Sequence, residues 1–175
     1  MAEIDYLESV QEAISLVETN AEIIQIRDEL IEEGYLKNKG RLIKKKKETM
    51  SPIHFVSDDG YDIYVGKNNK QNDYVTLKLA THTDLWFHTK GIHGSHVIVK
   101  TNDAMKVSDE TYLLAARLSA YYSKGRNSES VAVDYTEVKN VKKPSGAKPG
   151  MVIYVNYNTL YVTPDEKEIE RLKNS

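Results

Sequence analysis

The sequence predicts an α+β domain: a mostly antiparallel sheet with packed helices, preceded by a long coiled-coil-type helix. Three observations carry this. Apolar residues recur every three or four positions up to about residue 33, then every second position from Ser51, which are the helix and strand periods. A second helical stretch lies between two sets of strands, so the order is strands, helix, strands. Glycine- and proline-bearing turns separate the short strands, as antiparallel pairing requires.

The divisions follow in order. Residues 1–36 read as an arm helix. Leu7, Val10, Ile14, Val17, Ala21 and Ile24 form a heptad seam, and Leu16, Ile23 and Leu30 a second stripe. Two apolar faces on one helix call for a partner, which is expected to be a second helix outside this chain, with helix-mediated self-association as its substitute; a helix lying on its own domain is the alternative. Residues 37–50 read as a basic linker, because Lys37 to Lys47 holds seven cations in eleven residues. Such a run is either solvated or neutralises phosphates. Residues 51–165 form the domain. Ile53 to Val65 read as a hairpin turning at Ser57–Gly60. The amide run Asn68–Asp73 leads into a short helix. Leu85–His88 and His96–Val99 are strands, and Ser108 caps a helix ending near Lys124. Val131–Tyr135 and Val138–Val141 are further strands, and Met151–Val155 with Thr159–Val162 make a final hairpin. Residues 166–175 read as a polar tail.

Composition narrows the function. There is no cysteine among the 175 residues, which excludes disulfides and thiolate metal sites. No apolar run reaches the roughly 20 residues of a membrane span, and the start lacks a signal-peptide pattern. The net charge of −2 hides an asymmetry. Residues 1–36 carry ten acids and one base, whereas residues 37–163 carry 20 bases and 12 acids. The middle of the chain is basic, which suits a polyanionic partner.

His82, His88, His93 and His96 cluster near Trp86, the only tryptophan. A metal reading finds only Asp84 as a nearby carboxylate and too few converging donors. Ser95 and His96 point to opposite faces of a strand, which disfavours a nucleophile–base pair. A general-base role for His88 or His96 with Asp84 lacks a supporting carboxylate set. Histidines bonded to backbone in a half-buried sheet are the structural alternative. We therefore expect no enzyme activity, metal or cofactor. Nucleic-acid binding accounts for more features. Lys67, Asn68, Asn69, Lys70, Gln71 and Asn72 suit phosphate oxygens, with Asp73 and Asp84 orienting them. His88 and His96 would add polar contacts on the same face, and Lys142, Lys143 and Lys148 an electrostatic rim. Trp86 or an exposed tyrosine could stack on an unpaired base.

Several blocks carry a family resemblance: Tyr64 to Asp73; Asp84 to Thr89; Gly94-Ser95-His96-Val97; Tyr121 to Lys124; Val133 to Thr136; and Val141 to Pro144 with Gly146 and Lys148-Pro149-Gly150. Over about residues 50–165 the chain resembles the NFACT-R domain that ends the RqcH, or fibronectin-binding protein A-like, family. One position departs from the family pattern, His93 standing where proline is usual. The resemblance implies an RNA-binding module, with ribosomal RNA or tRNA as partner. Through the full-length protein it implies the large ribosomal subunit obstructed by peptidyl-tRNA, and alanine tailing. A cytoplasmic location goes with that. The alternative it implies is an adhesin surface for fibronectin or fibrinogen, displayed on a Gram-positive cell without a signal peptide.

Overall fold

The computed structural model describes residues 2–37 and 51–174. The basic run Lys37–Lys47 falls outside the described residues except for Lys37. Six strands form one antiparallel sheet, in the order β1-β2-β4-β3-β5-β8. They are β1 (Ile53–Val56), β2 (Asp62–Val65), β3 (Leu85–Thr89), β4 (Val97–Val99), β5 (Val131–Glu137) and β8 (Asn158–Val162). The sheet is covered on both faces, so its central strands are apolar throughout rather than alternating. On β3, Leu85 and Phe87 meet the main core, which includes Leu114, Ala115, Leu118 and Tyr122. These four belong to α4 (Asp109–Tyr121) and its end, and Ser108 caps the helix as the sequence predicts. Trp86 points to the opposite face and packs with Val75, Ile98 and Val141.

The arm is not one long helix. It breaks into α1 (Ala2–Ser15) and α2 (Asn20–Glu32), and a capping box starts α2. The Thr19 side chain accepts from the Glu22 backbone, and Glu22 reaches back to the Thr19 backbone. Two orphan donors of the helix start are satisfied in this way. The break lets α2 fold against α1, so Tyr6, Val10 and Ala13 pack on Ile26. Of the seam read in the sequence, only Val10 and Val17 join this contact, so the fold-back buries a different face from the one expected. Ile4, Leu7, Ile14, Ile23 and Ile24 stay exposed on the outside of the pair.

Three further expectations are corrected. Val138–Asn140 form a 3₁₀ turn, and only β6 (Val141–Lys142) follows as a strand. Residues 151–155 and 159–162 do not pair as a hairpin. β7 (Ile153–Tyr154) pairs with β6 in a separate ribbon, while β8 returns to β5. Tyr154 is the reason: against β6 it reaches Trp86, with ring centroids 4.7 Å apart. The polar tail is largely helix α5 (Glu166–Lys173), capped by Asp165. It buries Ile169 in the main core and ties Glu168 to Arg117 through two hydrogen bonds.

Candidate nucleic-acid interface

The amide run builds a tight structural knot. Asn68 is the N-cap of α3 (Asn69–Tyr74), which continues into a π-helical turn at Val75–Leu79. Its side chain accepts from Gln71 N at 2.9 Å, and Gln71 Oε1 accepts from Lys67 N at 3.0 Å. Asn72 Oδ1 accepts from His96 N at 3.0 Å, which fastens the knot to β4. The backbone approaches so closely that a Cβ on Gly66 would lie 2.3 Å from Asn72 Oδ1. At Gly150, where φ is +78°, a Cβ would lie 2.4 Å from Asn69 Oδ1. Glycine is needed at both positions, for space and, at Gly150, for conformation.

The knot does not face solvent, and this corrects the central expectation. Lys67, Asn68, Asn69, Gln71 and Asn72 are all buried, because α1 and α2 lie over them. Asn68 Nδ2 and Gln71 Nε2 both donate to Gln25 Oε1. Asn69 Nδ2 donates to Ser9 and Glu29. Lys67 Nζ meets Glu22 at 2.9 Å and Glu18 at 3.2 Å, and Lys70 meets Glu32 at 3.1 Å. The donors are of the type expected, but carboxylates of the acidic arm hold the places phosphates would take.

The rim is also largely engaged. Lys143 Nζ reaches Asp73 Oδ1 at 3.2 Å and the Lys148 carbonyl at 2.8 Å. Asp73 also accepts from Gly150 N, and burial raises its carboxyl pKa above the ordinary range despite Lys143. Lys148 pairs with Glu33 at 3.1 Å and lies over the rings of Tyr6 and Tyr35. Asp73 therefore orients the 143–151 loop. Asp84 does not orient the amide run; it accepts from Thr81 N, Thr101 N and Lys100 at the other end of β3. Lys142 remains exposed.

His88 and His96 do share a place, the floor of a cleft of about 270 Å³ between α1 and the sheet. Trp86 is fully buried beneath them, so it is not a surface stacking platform. Its ring lies parallel to His88 at 5.7 Å and edge-on to His96 at 5.4 Å. Trp86 Nε1 donates to His96 Nδ1, and the Thr76 hydroxyl lies 2.8 Å from that same nitrogen. Indole nitrogen can only donate, so Nδ1 accepts and the His96 proton sits on Nε2. Desolvation holds the pKa of His88 down to about 4, and drives that of His96 well below the usual imidazole range. Both rings are neutral at pH 7 and so add no charge to attract phosphate. At the rim, His93 Nε2 lies 3.0 Å from Asp5 Oδ1 and 3.9 Å from Glu8, bridging loop and arm. These three bring donor atoms within 4.8 Å of one another, but two of them are exposed acids of an ordinary kind.

One surface escaped the sequence reading. Beyond the cleft, Tyr157 and Tyr161 are exposed, and Lys90 Nζ stands 5.1 Å from the Tyr157 ring centre. Tyr154 joins Tyr157 edge-on at 5.0 Å, which connects the patch to β7, whose exposed Ile153 pairs with Lys142. Alternation along β8 was the available signal: Leu160 and Val162 join the core, so Tyr161 points away. Asp134 organises the patch, accepting from Tyr154 at 2.6 Å and Thr159 at 2.7 Å.

A helix-packed antiparallel sheet with aromatic and cationic side chains along one margin is an architecture of nucleic-acid-binding modules. Residues 51–156 match the family model described as NFACT protein RNA binding domain, and the chain belongs to that family. It is 41% identical over 175 residues to the Rqc2 homolog RqcH of Bacillus subtilis (strain 168), covering 99% of this chain and 30% of that protein. It is 47% identical over 169 residues to the Rqc2 homolog RqcH of Streptococcus suis (strain 05ZYH33), covering 96% of this chain and 30% of that one. The structure of the C-terminal of the fibronectin/fibrinogen-binding protein from Streptococcus suis is similar with a TM-score of 0.87 and 45% identity. That match takes in 98% of this chain and 68% of the other. The chain thus spans under a third of the length of the RqcH proteins it matches.

Proposed function

We propose that this chain is the RNA-binding module of a ribosome quality-control factor. Its partner would be ribosomal RNA or tRNA on an obstructed large subunit, and alanine tailing would belong to the longer protein. Membership of the NFACT RNA-binding family over residues 51–156 carries the reading. With the arm docked over the amide run, the contact surface would be Lys90, Tyr157 and Tyr161 with Lys139 and Lys142. Aromatic stacking on unpaired bases contributes about 1–3 kcal/mol per base, and the lysines supply the salt-sensitive part.

The test is binding of a fluorescent single-stranded RNA across a salt series. With two or three phosphate contacts, log K should fall against log salt with a slope of roughly −1.5 to −2 for a single strand. The double variant Tyr157→Ala/Tyr161→Ala should weaken binding at least tenfold, by roughly one stacked base. Unaltered binding by that variant and by Lys142→Ala would remove this surface. A second reading rests on the fibronectin/fibrinogen-binding description of the Streptococcus suis neighbour and on the exposed isoleucines of α1 and α2. An apolar contact of that kind would hold at high salt, where an RNA complex would not.

A further inference from the structure

The geometry points to the cleft between α1 and the sheet as a receptor for one unpaired nucleobase bearing an exocyclic amino group. It takes the base and leaves the phosphates outside. This rests on the RNA reading above and deepens it.

Size comes first. At about 270 Å³ the cleft lies just under the roughly 300 Å³ lower end of small-molecule sites, which suits one flat heterocycle. Its floor is aromatic and layered: His88 lies flat over Trp86 and is itself only half-buried, so its outer face can take a third ring. The polar complement is unfinished. Ser95 lines the cleft, is 1% exposed, and its Oγ has no hydrogen-bond partner. Such an orphan costs about 1–3 kcal/mol until a ligand or water atom meets it.

Charge decides which ligand fits. α1 lays Asp5, Ser9 and Glu12 along the wall at spacings of four and three, one helical face. No hydrogen bond or ion pair ties the Glu12 carboxylate to another described residue. Lys67, the lysine of the lining, is already held by Glu18 and Glu22, His93 is taken up by Asp5 and Glu8, and the neutral imidazoles of His88 and His96 add no charge. A phosphate entering here would meet carboxylates, whereas an amino group of adenine, cytosine or guanine would donate to them. The uracil edge offers the same acids one N3–H flanked by two carbonyls, which the carboxylates repel, and is disfavoured.

Because Trp86 is the only tryptophan and lines the cleft, its emission reports occupancy directly. The 175-residue protein is titrated with adenosine, cytidine, uridine and inorganic phosphate. Adenosine and cytidine should alter Trp86 emission saturably, uridine should bind about tenfold more weakly for want of one charge-assisted hydrogen bond, and phosphate should not bind. Glu12→Gln, at the open wall, should cut the discrimination against uridine to under threefold. Ser95→Ala should weaken every nucleoside several-fold without lowering the melting temperature. A flat Trp86 signal, with unmoved amide resonances at 94–96 for every nucleoside, overturns the proposal. So does binding of phosphate, or discrimination unchanged in Glu12→Gln. If RNA still binds and responds to Tyr157→Ala/Tyr161→Ala while the cleft stays silent, only the base receptor falls. If nucleosides bind but those tyrosines are irrelevant to RNA, the sheet-margin reading falls instead.

Discussion

Lys67 offers a direct test of whether the acidic arm sits on the amide run. Its side chain is 3% exposed and reaches Glu22, 11% exposed, at 2.9 Å and the half-exposed Glu18 at 3.2 Å. Replacement by methionine keeps most of the stem's volume and deletes the charge. The Glu18 contact, being solvated, contributes about 0–1 kcal/mol, and the hydrogen bond to Glu22 about 1.5–3 kcal/mol. Removing one partner of a fully buried pair would cost about 3–5 kcal/mol, but Glu22 is not stranded. It still accepts from Glu18 N at 2.7 Å and Thr19 N at 3.4 Å. Lys67→Met should therefore destabilise by about 2 kcal/mol, or roughly 4–8 °C in Tm for a chain of this size. Thermal melts of Lys67→Met, Glu22→Gln and the double variant give the coupling, expected at about 1–2 kcal/mol. A Tm within about 1 °C of the parent together with zero coupling would mean that the arm does not cover Lys67, and the amide run would return as the phosphate site.

The same docking predicts that Asn68→Ala/Asn69→Ala/Lys70→Ala lowers Tm clearly, since Asn68 is a helix cap worth about 1 kcal/mol and Asn69 holds the buried Glu29; an unshifted melt would refute this. Glu29 is 1% exposed and its pKa is raised by burial, against hydrogen bonds from Tyr6 and Asn69. A carboxyl raised in this way contributes its stability below the ordinary glutamate pKa and loses it as pH climbs through the raised value. Glu29→Gln should accordingly flatten the pH dependence of urea unfolding between the ordinary glutamate pKa and the raised value; parallel profiles for the two proteins would count against the buried charge. Ile169→Ala removes a fully buried side chain from the main core and should cost about 2–5 kcal/mol, measurable by urea unfolding, whereas a solvated tail would show no effect.

Much of the sheet was legible, because period two survives wherever one face meets α4, as at Ile53, Phe55, Ile63 and Val65. The break in the arm had a signal in Thr19 and Glu22 but was not read, because the three-and-four spacing runs on through Val17, Ala21 and Ile24 and masks the cap. Strand partnership was not legible. Ile153 and Tyr154 carry the same pattern whether they pair with β6 or β8, and only the reach of Tyr154 to Trp86 selects between them. At the candidate site, residue type alone did not reveal the partner within the chain. Lysines and amides look alike whether a phosphate or a glutamate satisfies them, and here the arm's own acids were available to do so.

The seam between arm and domain is held by lysines, amides and carboxylates, while each side keeps an apolar cluster of its own. Leu16, at the end of α1, is buried in the larger cluster and acts as a greasy pin at one edge. Salt should therefore weaken the more solvated pairs at its edge, Lys70 with Glu32 and Lys148 with Glu33, before the buried Lys67–Glu22 pair. A polyanion could reach the amide run only by displacing the four glutamates, Glu18, Glu22, Glu29 and Glu32, that hold it.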